Sequence, residues 1–374
     1  RSCRERSATS CSAVKGALLP KMKNKEEQLR VLVVGAGSIG TYVAACLWLG
    51  GAAVKVSYRD SERGRLLVDE AHERGSVAVV HNGEACKVPA AGFFVAQDST
   101  DEKVFLKLCD YVLIATKRTA NAAVAEWFEK VDFRSRVVLL QNGLDATLDF
   151  KMTNISQCVV RIGVFDNGGV FTRTSGDGLM LAVGEERLAE ALSHKPKLLS
   201  AWCCPALQAE INTKFVLNCA MNALSALADR PSPKMLISGS RTRRVALLAA
   251  AEAVEVCQKH EMPLKPASWK LSWALHLALL IDLILSLTLL PLLSLFFTPP
   301  APSDDKARSS MWDDLNLGRK TENDFLNGKV VTLGLTGMVS TPINRALFRL
   351  IHQFDTPTGS KSKGTPNMTP AQLT

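Results

Sequence analysis

Short apolar runs alternate with amphipathic stretches over the first half of the chain. The runs are rich in β-branched residues and predict strands at 30–34, 53–58, 111–115 and 137–140. Each run is apolar almost throughout, which is typical of parallel strands that are covered on both faces. Helical patterns lie between the runs, as over 120–131. We therefore predict a doubly wound α/β domain, in which 158–163 and 179–184 extend the same sheet.

After about residue 208 the strand patterns fade and helical patterns dominate. They predict helices over 212–228, 244–260, 321–334 and 342–354. A chain of 374 residues is long enough for about two domains. We place the strand-rich domain at 29–207 and an all-helical domain at 208–356. The basic segment 1–28 and the Pro-, Ser- and Lys-containing tail 357–374 are expected to be disordered, the former with a transit-like composition.

One apolar run inside the helical half fits neither domain. Residues 271–297 carry Asp282 as their only formal charge, so by length they are a candidate membrane span. Polar residues with candidate chemistry lie on both sides of this run, and a single span would separate them across a bilayer. We therefore expect no membrane partner and interpret 270–304 as an atypical insert. The first interpretation is a gene-model artefact, the second is a genuine inserted helix, and a membrane anchor is the last option.

Positive charge is concentrated outside the two predicted domains. The chain has 45 Lys+Arg and 36 Asp+Glu, a formal net charge of +9, of which residues 1–30 supply +5 and residues 357–374 supply +2. The rest of the chain is nearly neutral. It lacks the basic surface on which nucleic-acid binding depends, so we expect no nucleic-acid partner.

The cysteine pattern and the composition of the first thirty residues indicate the cellular compartment of the protein. The ten cysteines form no C-x-x-C pair and no Cys/His cluster with zinc spacing, which predicts reduced thiols and no metal site. Residues 1–30 lack the apolar core of a secretory signal, and their basic composition fits an organellar transit peptide. Translated sequence ahead of a start at Met22 is the alternative. We expect a cytoplasmic protein, with a plastid or mitochondrion as the second possibility.

A glycine motif follows the first predicted strand and opens the first predicted helix. It reads Gly35-Ala36-Gly37-Ser38-Ile39-Gly40. Gly35 permits a tight turn, Gly37 lets the backbone approach a pyrophosphate, and Gly40 allows close packing of helix on strand. The helix N-terminus then directs free N–H groups at the phosphates. The motif predicts a dinucleotide site of the Rossmann type, and a glycine-rich turn without a ligand is the alternative.

The residue after the second strand indicates which dinucleotide binds. An NAD site prefers an acidic residue there, which bonds the ribose hydroxyls. This chain has Arg59 at that place, where a guanidinium can pair with a 2′-phosphate and stack on adenine. The sequence therefore predicts NADP (NADPH) as the cofactor, unless Arg59 is a solvated loop charge.

Lys214, Asn218 and Asn222 form a polar stripe on an otherwise apolar predicted helix. They stand at i, i+4 and i+8, which places them on one face. Asn is a poor helix former, so two of them in register with a lysine point to a function. A lysine ammonium can protonate a developing alkoxide, and the two amides can hold a polar substrate. The alternatives are a solvated stripe at a domain edge, or amides that bond backbone groups.

Further polar residues lie beyond the apolar run and after two strands. Ser310 could bind a substrate carboxylate, and Glu322 could lie near the ribose or the substrate hydroxyl. The alternative is that Ser310, with Asp313, caps one helix and that Thr321 caps the next. Asn142 and Lys117 follow the strands at 137–140 and 111–115. The carboxyl ends of parallel strands are where ligands of such sheets bind.

Taken together, these residues resemble the ketopantoate reductase (2-dehydropantoate 2-reductase) family over roughly 29–267 and 306–356. The resemblance lies in the order and spacing of several short motifs rather than in any one of them. The motifs are GAGSIG, Arg59, Lys117, QNG with Asn142, K-x3-N-x3-N at 214–222, SSM-x-x-D at 309–314, GR-x-TE-x-D at 318–324, NG-x-V, and TP-x-N near 341–344.

The resemblance implies an N-terminal Rossmann domain, a C-terminal helical domain and an active site between them. The implied reaction is NADPH-dependent reduction of 2-dehydropantoate to pantoate, for pantothenate and coenzyme A synthesis. By position, Lys214 would be the proton donor, and Asn218, Asn222 and Ser310 would hold the substrate. The glycine motif, Arg59, Lys117, Asn142 and Glu322 would hold the cofactor. The implied partner is a small 2-oxoacid, and the implied assembly is a monomer or homodimer.

Two departures from the family pattern leave alternatives open. A further substrate-binding Asn of the family falls at Ser232, a shorter side chain that makes fewer hydrogen bonds. The insert 270–304 interrupts the pattern ahead of Ser310. The chain could therefore be a related NADP-dependent reductase of another 2-oxoacid, or an NADP-binding homologue with impaired catalysis.

Overall fold

The computed structural model of the protein describes residues 28–59, 62–131, 133–229, 240–265 and 309–355. Its first half is built from strands and short helices. The strands are β1 (Arg30–Val34), β2 (Ala53–Tyr58), β3 (Ser76–His81), β4 (Glu84–Pro89), β5 (Phe94–Ala96), β6 (Tyr111–Ile114), β7 (Arg136–Leu139), β8 (Ile155–Gln157), β9 (Val159–Asp166), β10 (Val170–Leu181) and β11 (Ala201–Cys203). The helices are α1 (Ser38–Leu49), α2 (Glu62–Glu73), α3 (Thr100–Leu108), α4 (Asn121–Lys130) and α5 (Glu186–Leu192).

The first sheet is parallel throughout and has the strand order β5-β2-β1-β6-β7-β8. The four apolar runs that predicted strands all lie in it as β1, β2, β6 and β7. They are central strands, and helices or the second sheet cover both faces, so their side chains are buried on each side. The direction in which successive strands are added to the sheet reverses between β1 and β6, which opens a crevice at the carboxyl ends of these strands. The predicted doubly wound α/β domain is thus confirmed.

A second sheet holds β11-β10-β3-β4, with β9 antiparallel to β10. The prediction that 158–163 and 179–184 extend the parallel sheet is therefore wrong, because these residues lie largely in β9 and β10. Helix α1 lies between the two sheets, and nine of its twelve residues are buried. One core cluster accordingly joins residues of β1, α1 and the second sheet. Both segments have a strand-like local pattern, but the choice of sheet depends on pairing with distant strands.

The second half is helical, with α6 (Leu207–Leu227), α7 (Ser240–Lys259), α8 (Ser310–Asn316), α9 (Asn327–Gly337) and α10 (Pro342–Phe354). Every secondary-structure element described after residue 206 is a helix, which confirms the predicted helical C-terminal domain. The single helix predicted over 321–334 is wrong. A short 3-10 turn covers Asn323–Phe325, and Leu326 (φ −115°, ψ −101°) interrupts the chain before α9 begins. Thr321 bonds Asp355 and Asn323 donates to the Phe348 carbonyl, so contacts with α10 and its C-terminal end hold this turn.

Several predictions fall outside the described residues. They concern the basic segment 1–28 except for residue 28, the insert 270–304 with its apolar run 271–297, the tail 357–374, and Ser232. Of the helices that the structure does describe, none has the length and apolar character needed to cross a bilayer.

Candidate active site

The glycine motif forms the turn between β1 and α1. Gly35 has φ +114°, a conformation that side chains rarely adopt, and its N–H donates to the Ser57 carbonyl of β2 (3.0 Å). A Cβ added at Gly40 would lie 2.1 Å from the Gly35 carbonyl oxygen, so the helix can approach this turn only with glycine there. A Cβ at Gly37 would meet nothing within 4 Å. Open space therefore lies at the N-terminus of α1, where Ser38 and Ile39 begin the helix, and this space fits a pyrophosphate.

Arg59 lies directly after β2 and is exposed. The hydrogen bond from Gly35 to Ser57 brings the glycine turn to this end of β2. The guanidinium is thus carried at the strand end that faces the adenine half of a bound dinucleotide in this fold.

The polar stripe of Lys214, Asn218 and Asn222 lies on α6. All three side chains are partly exposed, whereas residues on the other faces of the helix, such as Phe215 and Leu224, are buried. Neither Asn side chain has a hydrogen-bond partner among the residues that the structure describes. The stripe thus places a lysine and two amides without hydrogen-bond partners on a partly solvent-exposed face of α6, which is called the open face below.

The Lys214 ammonium group reaches from α6 to the strand-rich half. Its Nζ donates to the Val160 carbonyl of β9 at 2.5 Å. Burial of the ammonium lowers the pKa of Lys214 to about 8, although Cys158 and Glu322 oppose the effect. A lysine whose pKa is close to physiological pH is well suited to donate a proton.

Lys117 follows β6 and forms an ion pair across the two halves. Its Nζ lies 2.8 Å from Asp314 Oδ2 and 3.9 Å from Glu322 Oε2. Both carboxylates are almost fully buried. Burial raises the pKa of Asp314, and the cations Lys117 and Arg319 offset only part of that effect. Lys117 and Glu322, both predicted to hold the cofactor, therefore come together although 205 positions separate them in the chain.

Asn142 lies in a loop after β7 that is fixed by hydrogen bonds from neighbouring side chains. The Gln141 amide donates to the Thr116 carbonyl (3.0 Å) and exchanges hydrogen bonds with Asn121. The Gln157 amide donates to the carbonyls of Gln141 and Gly143 on either side of Asn142. Asn142 itself is partly exposed, and its side chain makes no hydrogen bond with any described residue, so its amide is available at the strand end.

Ser310 is the first residue of α8 and is exposed. The capping alternative for this residue is wrong, because the N-cap is Ser309, whose hydroxyl accepts the Trp312 N–H (3.2 Å). Ser309 is buried and also bonds Ser225 of α6 (2.8 Å), which fixes the start of α8 against the helix of the polar stripe. The Ser310 hydroxyl is thereby left free of a structural role in the cap.

Sequence reasoning missed two residues of this region, Arg118 and Asp314. Both charged groups are almost fully buried. Arg118 follows Lys117 and Asp314 follows Asp313, so each lies in a polar stretch of the sequence. The local pattern does not distinguish a charged residue that becomes buried from one that stays solvated. Asp314 does occupy the last position of the SSM-x-x-D motif, which is the signal that could have drawn attention to it.

Two family profiles together match most of the chain. The profile described as "Ketopantoate reductase PanE/ApbA" matches residues 31–185, and the one described as "Ketopantoate reductase PanE/ApbA C terminal" matches residues 206–355. The chain belongs to the ketopantoate reductase family. It is accordingly an oxidoreductase with the two-part architecture described above, and the resemblance inferred from the motifs is confirmed.

Individual relatives agree with this assignment. A 2-dehydropantoate 2-reductase from Pyrobaculum aerophilum is 28% identical over 250 residues, which cover 64% of this chain and 75% of that protein. The crystal structure of a PanE/ApbA family ketopantoate reductase from Ralstonia eutropha has a TM-score of 0.67 at 21% identity, with 87% of this chain and 98% of that chain covered. A D-mandelate dehydrogenase bound to NADH and anilino(oxo)acetate has a TM-score of 0.65 at 19% identity, with coverage of 87% and 98%. The two structures establish similarity of fold.

Proposed function

We propose that this ketopantoate reductase family member reduces the 2-oxo group of 2-dehydropantoate to the hydroxyl of pantoate, with NADPH as the reductant. The observation that carries the proposal is the polar stripe of α6. It sets Lys214, whose pKa is lowered to about 8, on the same open face as the uncommitted amides of Asn218 and Asn222. Pantoate would serve the synthesis of pantothenate and coenzyme A.

The described residues fit a nicotinamide dinucleotide. The open space at Gly37 and the free N–H groups at the start of α1 suit the pyrophosphate. Arg59 would hold the 2′-phosphate. On the other side of the crevice, Lys117, Asn142 and Glu322 would hold the nicotinamide ribose. The chemistry supplied by bound NADPH is a hydride, which leaves negative charge on the former carbonyl oxygen.

Lys214 would supply the proton for that oxygen. Its ammonium already lies in a partly desolvated position, where a charge acts more strongly on a developing alkoxide than it would in water. Glu322 contributes negative potential that favours the protonated amine. This effect helps to keep the donor charged near neutral pH, so the residue can both stabilise the alkoxide and protonate it.

Asn218, Asn222 and Ser310 would orient the oxoacid. The two amides can donate to a carboxylate or accept from a hydroxyl, and the Ser310 hydroxyl at the start of α8 can donate to a carboxylate. Substrates with another side chain remain the second candidate, because a D-mandelate dehydrogenase shares this fold. The full chain should oxidise NADPH when it is given 2-dehydropantoate. A panel that includes phenylglyoxylate would identify the preferred oxoacid, and lack of turnover on every oxoacid would contradict the proposal.

Activity is expected to fall at alkaline pH because the proton donor must be protonated. With a Lys214 pKa of about 8, kcat/KM for the oxoacid should be level below that pH and fall above it by a factor of about ten per pH unit. Initial rates from pH 6 to 10, with circular dichroism at each pH to confirm folding, would measure this. A profile that stays flat to pH 9.5 would exclude Lys214 as the titrating donor.

Arg59→Ala is expected to remove the preference for NADPH over NADH. A charge-assisted pair with a phosphate contributes about 1.5–3 kcal/mol, so the KM for NADPH should rise roughly tenfold to a hundredfold while the KM for NADH changes little. Arg187→Ala, which removes an exposed arginine of α5, serves as the control. Equal changes for the two cofactors would show that Arg59 does not contact the 2′-phosphate.

A further inference from the structure

The Arg118 side chain occupies a buried position between the two halves of the molecule. Only 7% of it is exposed. Its Nε and Nη2 donate to the two oxygens of Asp149 at 2.8 and 3.0 Å. Its Nη1 donates to the Leu144 carbonyl and its Nη2 also donates to the Asp145 carbonyl. All three nitrogens of the guanidinium are therefore used within the loop that follows β7.

These contacts hold the loop that carries Asn142. Gln157 bonds the carbonyls of Gln141 and Gly143, and Arg118 bonds the next two carbonyls along the chain. Gly143 has φ +93°, so the loop also turns sharply there. Asn142 lies within this series of hydrogen-bonded carbonyls. Its backbone position therefore depends on the side chains of Gln157 and Arg118.

Arg118 also contacts the turn that carries Glu322. Its backbone N–H donates to Glu322 Oε1 at 2.9 Å, and its guanidinium stacks over the Phe325 ring at 4.5 Å from the ring centre. A Cβ added at Gly143 would lie 3.1 Å from the Phe325 carbonyl oxygen, so the loop and the turn pack closely. One residue thus touches both segments that would hold the nicotinamide half of the cofactor.

We propose that Arg118 is a positioning residue for the cofactor, which sets the separation between Asn142 and Glu322 across the two halves of the protein. The inference rests on the function proposed above. In the sheet, Arg59 follows β2 on one side of β1, whereas Arg118 and Asn142 follow β6 and β7 on the other side. The residue therefore acts on the nicotinamide half of the dinucleotide and not on the adenine half.

The role calls for arginine rather than for a positive charge alone. The planar guanidinium bonds a carboxylate with two nitrogens, reaches two carbonyls and lies flat on a ring at the same time. A lysine could retain the charge next to Asp149 but could not reproduce this set of contacts. Arg118→Lys is therefore the informative variant.

Binding of the whole cofactor and of its adenine half distinguishes positioning from a general structural effect. Calorimetric titration of the full chain should show NADPH binding weakened about tenfold by Arg118→Lys, with binding of 2′,5′-ADP unchanged. Phe325→Leu removes only the ring contact and should weaken NADPH binding in the same direction by a smaller factor. The control is Arg136→Lys, which alters the pair of an exposed arginine with the buried Glu185 (2.8 Å) at the amino end of β7 and should change the binding of neither ligand.

The outcomes separate this inference from the proposed function. Unchanged NADPH binding in Arg118→Lys and Phe325→Leu, or equal weakening of NADPH binding and 2′,5′-ADP binding, would overturn the role of Arg118. The proposed function would not be affected by either result. If wild-type protein binds no nicotinamide dinucleotide, the proposed function fails, and this inference fails with it. A selective loss for NADPH that Arg136→Lys does not reproduce supports the positioning role.

Discussion

Lys214→Ala is expected to lower kcat for oxoacid reduction by about 10²–10⁴-fold, the usual contribution of a general acid. The variant loses the only group on the open face of α6 that can carry a proton to the alkoxide at neutral pH. Helix α6 should remain intact, because alanine is a good helix former and the buried faces of the helix are untouched. Steady-state kinetics at saturating NADPH and oxoacid would measure the effect.

Cofactor binding should survive this substitution. Titration of Lys214→Ala with NADPH should therefore give an affinity close to that of the wild type. Lys130→Ala, at an exposed lysine paired with Glu126 on α4, is the matched control and should leave the kinetics unchanged. Turnover of Lys214→Ala at the wild-type rate would refute the assigned proton donor and, with it, the proposed mechanism.

Substitutions at two glycines of the turn are expected to have different effects, one mainly on NADPH binding and the other mainly on the stability of the fold. In Gly37→Ala the new methyl group enters the open space at the start of α1, so NADPH binding should weaken about a hundredfold, the equivalent of one or two charge-assisted hydrogen bonds. The free energy of unfolding should fall by only about 0.5–1 kcal/mol, because alanine is a poorer N-cap than glycine. Calorimetric titration and denaturant unfolding would measure the two effects.

Gly40→Ala should behave differently, because its Cβ would lie 2.1 Å from the Gly35 carbonyl oxygen. The clash is with backbone, so helix and strand must move apart, at a cost of roughly 1–3 kcal/mol. The main effect of Gly40→Ala should be a lower free energy of unfolding. Its affinity for NADPH should fall only because the turn is displaced. If Gly37→Ala bound NADPH normally, the pyrophosphate could not lie at this turn.

Local patterns predicted a large part of the fold. The strands β1, β2, β6 and β7 and the helix α10 could be read from the sequence, since the apolar runs and the helical period follow from backbone geometry within a few residues. The same reasoning applies to Lys214, Asn218 and Asn222, which share a face of α6 because helix geometry requires it. The glycine motif was recognisable because its three glycines meet steric demands of one short turn.

Other features depend on contacts between distant residues. Nothing in the sequence near β9 and β10 distinguishes membership of the parallel sheet from membership of the second sheet. The N-cap of α8 falls on Ser309 rather than Ser310 because Ser309 also bonds Ser225 of α6. In the same way, the helix expected over 321–334 breaks where Thr321 bonds Asp355, just after α10, and Asn323 bonds the Phe348 carbonyl in the middle of α10.

The amino-acid sequence thus specified the two-part architecture, the dinucleotide turn and the polar stripe, all of which arise from short-range geometry. The tertiary structure alone decided which polar groups meet across the two halves of the protein. The Lys117 ammonium pairs with the buried Asp314, and the backbone N–H of Arg118 donates to the buried Glu322, across 197 and 204 positions of the chain. Such pairs form only when the helical half packs against the carboxyl ends of the parallel strands, because burial and proximity are properties of the folded chain.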